Sequence, residues 1–182
     1  MSQATTSTEL VAGTWAIDPV HSEVGFTVRH LMSKVRGSFT EFSGEIKTTD
    51  NILESQVSVV IKSGSITTHN EQRDGHLRSP DFFDPEKGGE LTFVSTKITE
   101  GTDGYIITGD LTINGITKSV DLASEYLGVG ANAYGGTLLG AEASTTINRK
   151  DFNVSFNIPL DGGKFVIGDK VDITLGIEAT QV

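Results

Sequence analysis

The feature that most constrains this chain is an alternation of apolar and polar residues with a period of two, repeated along most of its length. Such a period puts one face of a strand on a core and the other in water, as in an antiparallel sheet with one wet side. Helical periodicity is almost absent. A sheet of this length must fold on itself, so the sequence predicts an all-β protein with an interior. The clearest example is residues 170–178, where Val171, Ile173, Leu175 and Ile177 share one face.

The number of alternating segments predicts the architecture. About eight strands are indicated, enough to close a single extended antiparallel β-barrel that is just wide enough for one apolar ligand. A barrel with a fully packed core is the alternative. We expect one domain over residues 14–182, preceded by a flexible polar tail over residues 1–13.

Turn residues and changes of parity predict where strands end. Asn114-Gly115 lies between two alternating runs and favours a type I′ hairpin, because both residues tolerate positive φ. A change of parity between Phe39 and Phe42 predicts a bulge or bend near Thr40–Glu41 if both rings face inward. The Gly-rich stretch Leu127–Gly136 predicts a loop.

Three segments that lack the alternation predict short helical turns: Arg29–Lys34, Glu71–Leu77 and Asn148–Asp151. The second of them belongs to Ser63–Lys87, a stretch without strand character that is long for a small barrel. Long irregular segments in compact domains often act as functional caps or lids. We therefore expect this stretch to cover one end of the barrel.

Composition excludes several classes of function. The chain has 182 residues, with 14 Lys and Arg against 24 Asp and Glu, so its net charge is −10. This acidity disfavours nucleic acid and anionic membranes as partners. The absence of Cys excludes disulfides and thiolate sites. Since no apolar run reaches the roughly 20 residues of a membrane span and no signal peptide is recognisable, we expect a cytoplasmic protein without a membrane span.

No motif indicates catalysis or a metal site. The spacing of His21, His30, His69 and His76 matches no zinc pattern, and no G-x-S-x-G nucleophile elbow occurs. We therefore expect no catalytic residues, no metal and no cofactor other than a bound ligand.

Charged residues cluster beside the predicted strand ends and could hold the polar head of a ligand, since Arg binds phosphate or similar groups bidentately. Arg73 and His76 are predicted to lie at one channel mouth, because they belong to a basic, non-alternating segment. Arg29 and His30 are the other candidates for the head group. Salt-bridge networks that fasten the helical turns to the barrel are the alternative.

Five segments, taken together, resemble the YceI-like family: TWAIDPVHSEVGFTVRHLMSKVRGSFTEFSG (14–44), DGHLRSPDFFD (74–84), GDLTINGITKSVDL (109–122), INRKDF (147–152) and IGDKVDITLGIEA (167–179). They follow the family order over almost the whole chain after Thr14.

The chain departs from the family pattern at two places. Gly88-Gly89-Glu90 stands where an aromatic-Pro pair is common, and Asn153 stands where Gly is common. The first change could loosen the loop at the channel edge. Asn tolerates the left-handed conformation, so the second change is compatible with the family turn.

The resemblance implies a lipocalin-like barrel that binds a polyisoprenoid or an isoprenoid quinone in an elongated apolar channel. Many family members form dimers, so it also implies a possible homodimer. Fourteen inward residues are predicted to line the channel: Val24, Phe26, Val28, Phe39, Phe42, Val57, Val59, Ile61, Phe93, Ile107, Leu111, Ile113, Leu122 and Tyr126.

The resulting hypothesis is a protein that binds a long isoprenoid lipid for transport or storage. Two alternatives stay open from the sequence. One is an enzyme of isoprenoid lipid or quinone metabolism that uses the barrel as a substrate channel. The other is an interaction protein with a filled core and no lipid.

Overall fold

Eleven β-strands account for most of residues 9–182, the part of the chain that the computed structural model describes. One short α-helix, α1 (Glu71–Leu77), and four 3₁₀ turns accompany them. The turns lie at Ile52–Glu54, Ser63–Ser65, Pro85–Lys87 and Arg149–Phe152. The strands are β1 (Gly13–Ile17), β2 (Glu23–His30), β3 (Ser33–Phe39), β4 (Phe42–Thr48), β5 (Gln56–Lys62), β6 (Ile66–Thr67), β7 (Glu90–Glu100), β8 (Tyr105–Ile113), β9 (Ile116–Ala131), β10 (Thr137–Asn148) and β11 (Ile167–Gln181).

These strands form a closed antiparallel barrel with eight positions, because three positions are each shared by two strands. Strands β1 and β2 lie end to end along β11, with Ile17 opposite Ala179 and Glu23 opposite Gly176. The next position is shared in the same way by β4, which pairs with β1, and β3, which pairs with β2. The third shared position holds β5, which pairs with β4, and β6, which pairs with β3. The β1–β11 pairing closes the barrel. The predicted all-β barrel of about eight strands is confirmed.

Two predicted turns are confirmed in detail. Asn114 and Gly115 both have positive φ, 52° and 74°, and connect β8 to β9 as a two-residue turn. Thr40–Glu41 forms the bend between β3 and β4, and both Phe39 and Phe42 are buried on the inner side. The bend is needed because a regular strand would send rings of opposite parity to opposite faces.

Two local predictions were wrong. Arg29–Lys34 is not a helical turn but the tip of the β2–β3 hairpin, where Leu31 takes a positive φ of 54° and His30 pairs with Ser33. Leu127–Gly136 is not a loop throughout, because β9 continues to Ala131 and only 132–136 turn. Pairing with β10 outweighs the weak strand propensity of the glycines, and the register shifts beside Gly128 instead.

The other two helical segments are confirmed. The helix α1 spans Glu71–Leu77, and the segment after β10 forms the 3₁₀ turn Arg149–Phe152. Asn153 ends this turn with a φ of 58°, so Asn supplies the left-handed residue there. In the described residues, no helix is long and apolar enough to cross a bilayer.

Irregular segments cover both ends of the barrel. At one end, Asn114 Nδ2 donates hydrogen bonds to the backbone oxygens of Phe82 and Phe152, which fixes residues 63–89 and 149–166 over the β8–β9 turn. At the other end, Thr48 Oγ1 donates to Val11 O at 2.6 Å. Residues 1–8 of the predicted tail lie outside the described residues.

Candidate ligand cavity

The barrel encloses a cavity with an almost wholly apolar wall. About 290 Å³ is open to the centre of a water molecule, far more than the ~10–15 Å³ that one buried water requires. Apolar cavities of this kind stay dry and favour apolar occupants, because water would lose its hydrogen bonds there.

All fourteen residues that the alternation assigns to a channel lie on this wall. They lie there because every second side chain of a barrel strand points inward, and these residues occupy the inward positions of their strands. Whether they contact a ligand stays a prediction. The wall residues in question are Val24, Phe26, Val28, Phe39, Phe42, Val57, Val59, Ile61, Phe93, Ile107, Leu111, Ile113, Leu122 and Tyr126.

The side chains on the cavity wall differ in how far their neighbours bury them. Phe39, Phe42 and Phe93 are buried by their neighbours. Inward residues such as Val59 and Ile107 are only half-buried although they face the interior, because they border the cavity. On β10 the small side chains of Ala141 and Ala143 leave further space. Buried rings and half-buried aliphatic side chains are neighbours on this wall, as Phe93 and Val59 are across β7 and β5.

The wall is extended along the strands. On β10 the lining residues run from Leu139 to Ile147, which is about 26 Å at roughly 3.3 Å per residue. A strand tilt of about 40° reduces this to about 20 Å along the barrel axis. A ligand that uses the whole wall would be longer than it is wide.

The covering segments contribute lining residues that the sequence did not assign to the wall. Leu77 of α1, Phe82 and Phe152 lie over one end, and Leu10 lies at the other. They were missed because they stand outside alternating strands, where parity gives no direction. Their apolar character inside polar surroundings was the available signal.

Arg73 and His76 lie on α1, outside the cavity wall. The Arg73 guanidinium donates from Nε to Thr68 Oγ1 at 2.7 Å and from Nη2 to Thr68 O at 2.9 Å. His76 Nε2 lies 2.8 Å from Asp81 Oδ2, and its ring contacts Phe82 edge to face. Both side chains thus have structural partners, but only His76 contacts a carboxylate as the salt-bridge alternative expects. Their contact with a head group stays a prediction.

Arg29 and His30 do not line the cavity either. Arg29 is exposed on the outer face of β2 opposite Lys34, and His30 is half-buried opposite Ile167. The inward neighbour Val28 lines the cavity in their place. None of the four head-group candidates therefore lines the cavity, and their contact with a ligand stays a prediction.

Arg149 is the charged side chain that borders the cavity while being buried, with 4% of its surface exposed. Its guanidinium donates to the backbone oxygens of Gly168, Val154 and Phe156 at 2.8, 2.6 and 3.0 Å. Burial lowers the pKa of Arg149, and nearby Asp169 partly opposes this. An Arg side chain stays protonated in proteins, so a buried cation ties the segment after β10 to the start of β11.

Ser55 is a buried polar residue that sequence reasoning missed. The residue lines the cavity close to Ile52, but its hydroxyl oxygen is buried and has no hydrogen-bond partner among the described residues. The neighbouring hydroxyl of this end, Thr48, is fully used, because it accepts from Trp15 Nε1 at 2.9 Å and donates to Val11 O. The Ser55 hydroxyl is thus a buried polar group without a partner in residues 9–182, and it is not open to the cavity.

A group of three possible metal ligands lies away from the cavity, where the loop between β1 and β2 meets β11. Asp18, His21 and Glu178 bring their ligand atoms within 4.8 Å of one another. His21 Nδ1 lies 2.7 Å from Asp18 Oδ2, and this hydrogen bond raises the pKa of His21 and lowers that of Asp18. The loop is also fixed by Ser22 Oγ, which bonds Glu178 O. Holding the loop on β11 accounts for this proximity.

The comparison with protein families is decisive for ancestry. The model of the YceI-like domain matches residues 15–179. The chain belongs to the YceI-like family. A UPF0312 protein of Photorhabdus laumondii is 39% identical over 163 residues, covering 88% of this chain and 82% of that protein. A UPF0312 protein of Yersinia pestis is 35% identical over 181 residues, covering 97% and 91%.

Solved structures share the barrel of this YceI-like domain. BcnA of Burkholderia cenocepacia aligns with a TM-score of 0.78 at 23% identity, over 90% of this chain and 99% of that chain. The YceI protein of Campylobacter jejuni aligns at 0.69 with 30% identity, over 83% and 87%. A polyisoprenoid binding domain from Saccharophagus degradans aligns at 0.67 with 15% identity, over 94% and 100%. The first and third likenesses show the fold alone.

Proposed function

We propose that this protein binds one long isoprenoid lipid inside the barrel and carries or stores it. The observation that carries the proposal is the apolar cavity of about 290 Å³ with its long wall of inward aliphatic and aromatic residues. Such a wall offers apolar burial along its length and few directional contacts, which suits a repetitive hydrocarbon chain. The description of the Saccharophagus degradans neighbour as a polyisoprenoid binding domain agrees with it.

The proposal assigns most of the affinity to the tail. Each buried CH₂ group contributes up to about 0.8 kcal/mol before the cost of ordering the ligand. Affinity should therefore rise with tail length and level off once the wall is covered. The head would be held by few groups, because the wall offers almost no polar surface.

The test has two steps. Purified protein is extracted with organic solvent and the extract is analysed by mass spectrometry for isoprenoid lipids. Isoprenols and isoprenoid quinones of increasing tail length are then titrated into delipidated protein. We expect affinity that increases with length and then reaches a plateau. Affinity that does not depend on tail length would exclude the proposal.

The two alternatives predict different results in the same experiments. An enzyme of isoprenoid or quinone metabolism would convert the bound lipid, and His76→Ala would abolish turnover without affecting binding. A protein with a filled core would bind none of the lipids. Binding without turnover is the outcome that supports a carrier or store.

A further inference from the structure

Charge is distributed very unevenly over this acidic protein. Residues 29–36 and 148–170, which we call the basic face, contain seven of the 14 Lys and Arg but three of the 24 Asp and Glu. This gives the basic face a net charge of +4 and leaves −14 for all other residues. The overall charge of −10 is therefore a poor guide to what this part of the surface attracts.

The two segments of the basic face are in contact. The Leu31 N–H donates to Val166 O at 2.9 Å, and His30 pairs with Ile167 across β2 and β11. Lys150 Nζ lies 5.8 Å from the centre of the Phe165 ring. The β2–β3 hairpin tip and the segment before β11 thus form one continuous surface.

Apolar side chains project from the middle of this surface. Met32 at the hairpin tip is 96% exposed, and its neighbour Leu31 is 50% exposed. In the adjacent segment, Phe165, Ile158 and Leu160 are 56%, 50% and 41% exposed. Large exposed apolar patches with a polar rim mark interaction surfaces. This patch has a cationic rim of exposed residues: Arg29, Lys34, Arg36, Lys150, Lys164 and Lys170.

The opposite end of the barrel has the reverse character. Its turns 49–55, 101–104 and 132–136 contain Asp50, Glu54 and Asp103 and no Lys or Arg. Residues 63–89, which cover the same end as the basic face, add three Lys and Arg and five Asp and Glu, so this end has a net charge of +2 against −3 for the opposite turns. An anionic surface would attract the first end and repel the second.

We propose that the basic face docks on the surface of a bilayer that contains anionic lipids. Leu31, Met32 and Phe165 enter the boundary between head groups and acyl chains, while the surrounding cations face the lipid phosphates. This combination of shallow apolar insertion and electrostatic attraction is how interfacial proteins bind membranes. The lining residues Val28 and Ile167 lie directly behind the docked surface, so lipid exchange between membrane and cavity, which rests on the proposed function, would take place at this end.

The docking is tested by flotation of the full chain with vesicles of phosphatidylcholine, with and without phosphatidylglycerol. We expect flotation with the anionic vesicles only, weakened by added salt because exposed charges are screened. Two double variants separate the contributions: Met32→Ser with Phe165→Ser removes insertion, and Lys34→Glu with Lys164→Glu reverses charge. Each should reduce vesicle binding by about tenfold or more.

Matched controls use the same changes elsewhere on the surface. Tyr134→Ser alters a residue that is 94% exposed at the opposite end, and Lys97→Glu with Lys118→Glu reverses two exposed charges outside the basic face. These variants should float like the unmodified protein. Flotation with neutral vesicles alone, no flotation, or equal losses in the controls would overturn the docking.

Two further measurements separate membrane docking from self-association and from isoprenoid binding. Self-association is measured by analytical ultracentrifugation. If Met32→Ser with Phe165→Ser abolished self-association but left flotation unchanged, the face would bind a second copy of the chain, and the proposal would be overturned. Isoprenoid binding is measured in all variants, where it should be retained. Protein that floats but binds no isoprenoid would refute the proposed function and leave the docking intact.

Discussion

The carboxylate of Asp74 accepts hydrogen bonds from both the backbone N–H and the hydroxyl of Thr68, at 2.8 and 2.5 Å. Both residues are buried, with 5% of their surface exposed. The pair anchors α1 to the segment that follows β6, so it fixes the cover that carries Leu77 over the cavity.

This relationship predicts a pH-dependent contribution to stability. Burial by itself raises the pKa of Asp74, but the hydrogen bonds from Thr68 and the charges of Arg78 and Arg73 outweigh it and hold the pKa below its ordinary value. A lowered folded-state pKa means that the contribution is present above the unfolded value of about 3.9 and is lost as the pH falls through the folded pKa.

Asp74→Asn should therefore lower the free energy of unfolding by about 1–2 kcal/mol at neutral pH, since a charge-assisted hydrogen bond is replaced by a weaker one. The difference from the unmodified protein should shrink as the pH falls below about 4. Urea unfolding at several pH values measures it. Asp103→Asn, at an exposed turn, is the control and should have no comparable effect. A difference of the same size at every pH would contradict the mechanism.

Two separate Val→Trp substitutions on neighbouring strands test whether the cavity holds the lipid tail. Val59 faces inward on β5, whereas Val94 on β7 is 53% exposed. Val59→Trp should give a folded protein in which affinity reaches its plateau at a shorter isoprenoid tail, because the indole occupies space that the tail would fill. Val94→Trp should keep the original tail preference. Loss of about 1–3 kcal/mol of stability by Val59→Trp alone, with no change in preferred tail, would instead indicate an overpacked core.

Removing the Arg149 side chain should destabilise the protein strongly. Arg149→Met leaves several buried backbone oxygens without donors, at a cost of about 3 kcal/mol or more. Arg149→Lys keeps the charge but lacks the planar guanidinium, so its free energy of unfolding should lie between those of the unmodified protein and Arg149→Met. Arg36→Met removes an exposed Arg and should change stability by less than about 0.5 kcal/mol. Denaturant unfolding is the measurement, and equal stability of Arg149→Met and Arg36→Met would refute the structural role.

Two buried hydroxyls at the same end of the cavity should respond in opposite ways. Ser55→Ala removes a hydroxyl without a partner among the described residues, so stability should stay constant or rise by up to about 1 kcal/mol. Thr48→Val removes the partner of Trp15 and should cost about 1–2 kcal/mol. Lipid affinity should be unchanged in Ser55→Ala, because the hydroxyl is not open to the cavity. Thermal unfolding and lipid titration of both variants measure these effects, and a clear loss of stability in Ser55→Ala would contradict the assignment.

Local sequence determined the strands, much of the wall and two turn conformations. Parity is a local property, and a period of two fixes which side of a strand each residue faces, so residues such as Val59 and Leu111 could be placed on the inside from sequence. The turns at Asn114-Gly115 and Asn153 could be predicted for a similar reason, because Asn and Gly adopt a positive φ more readily than other residues do.

Tertiary structure decided which strands share a position and what the charged residues do. Residues 13–17 and 23–30 both lie on β11, more than 130 residues later in the chain, and no local pattern specifies such a pairing. Arg149 became a buried anchor only because the backbone oxygens of a returning segment converge on it. The basic face also exists only after β2 meets β11. A period of two determines which face of its strand each side chain lies on. The contacts that decide the role of a charged residue are made between distant segments, and only the closed barrel brings those segments together.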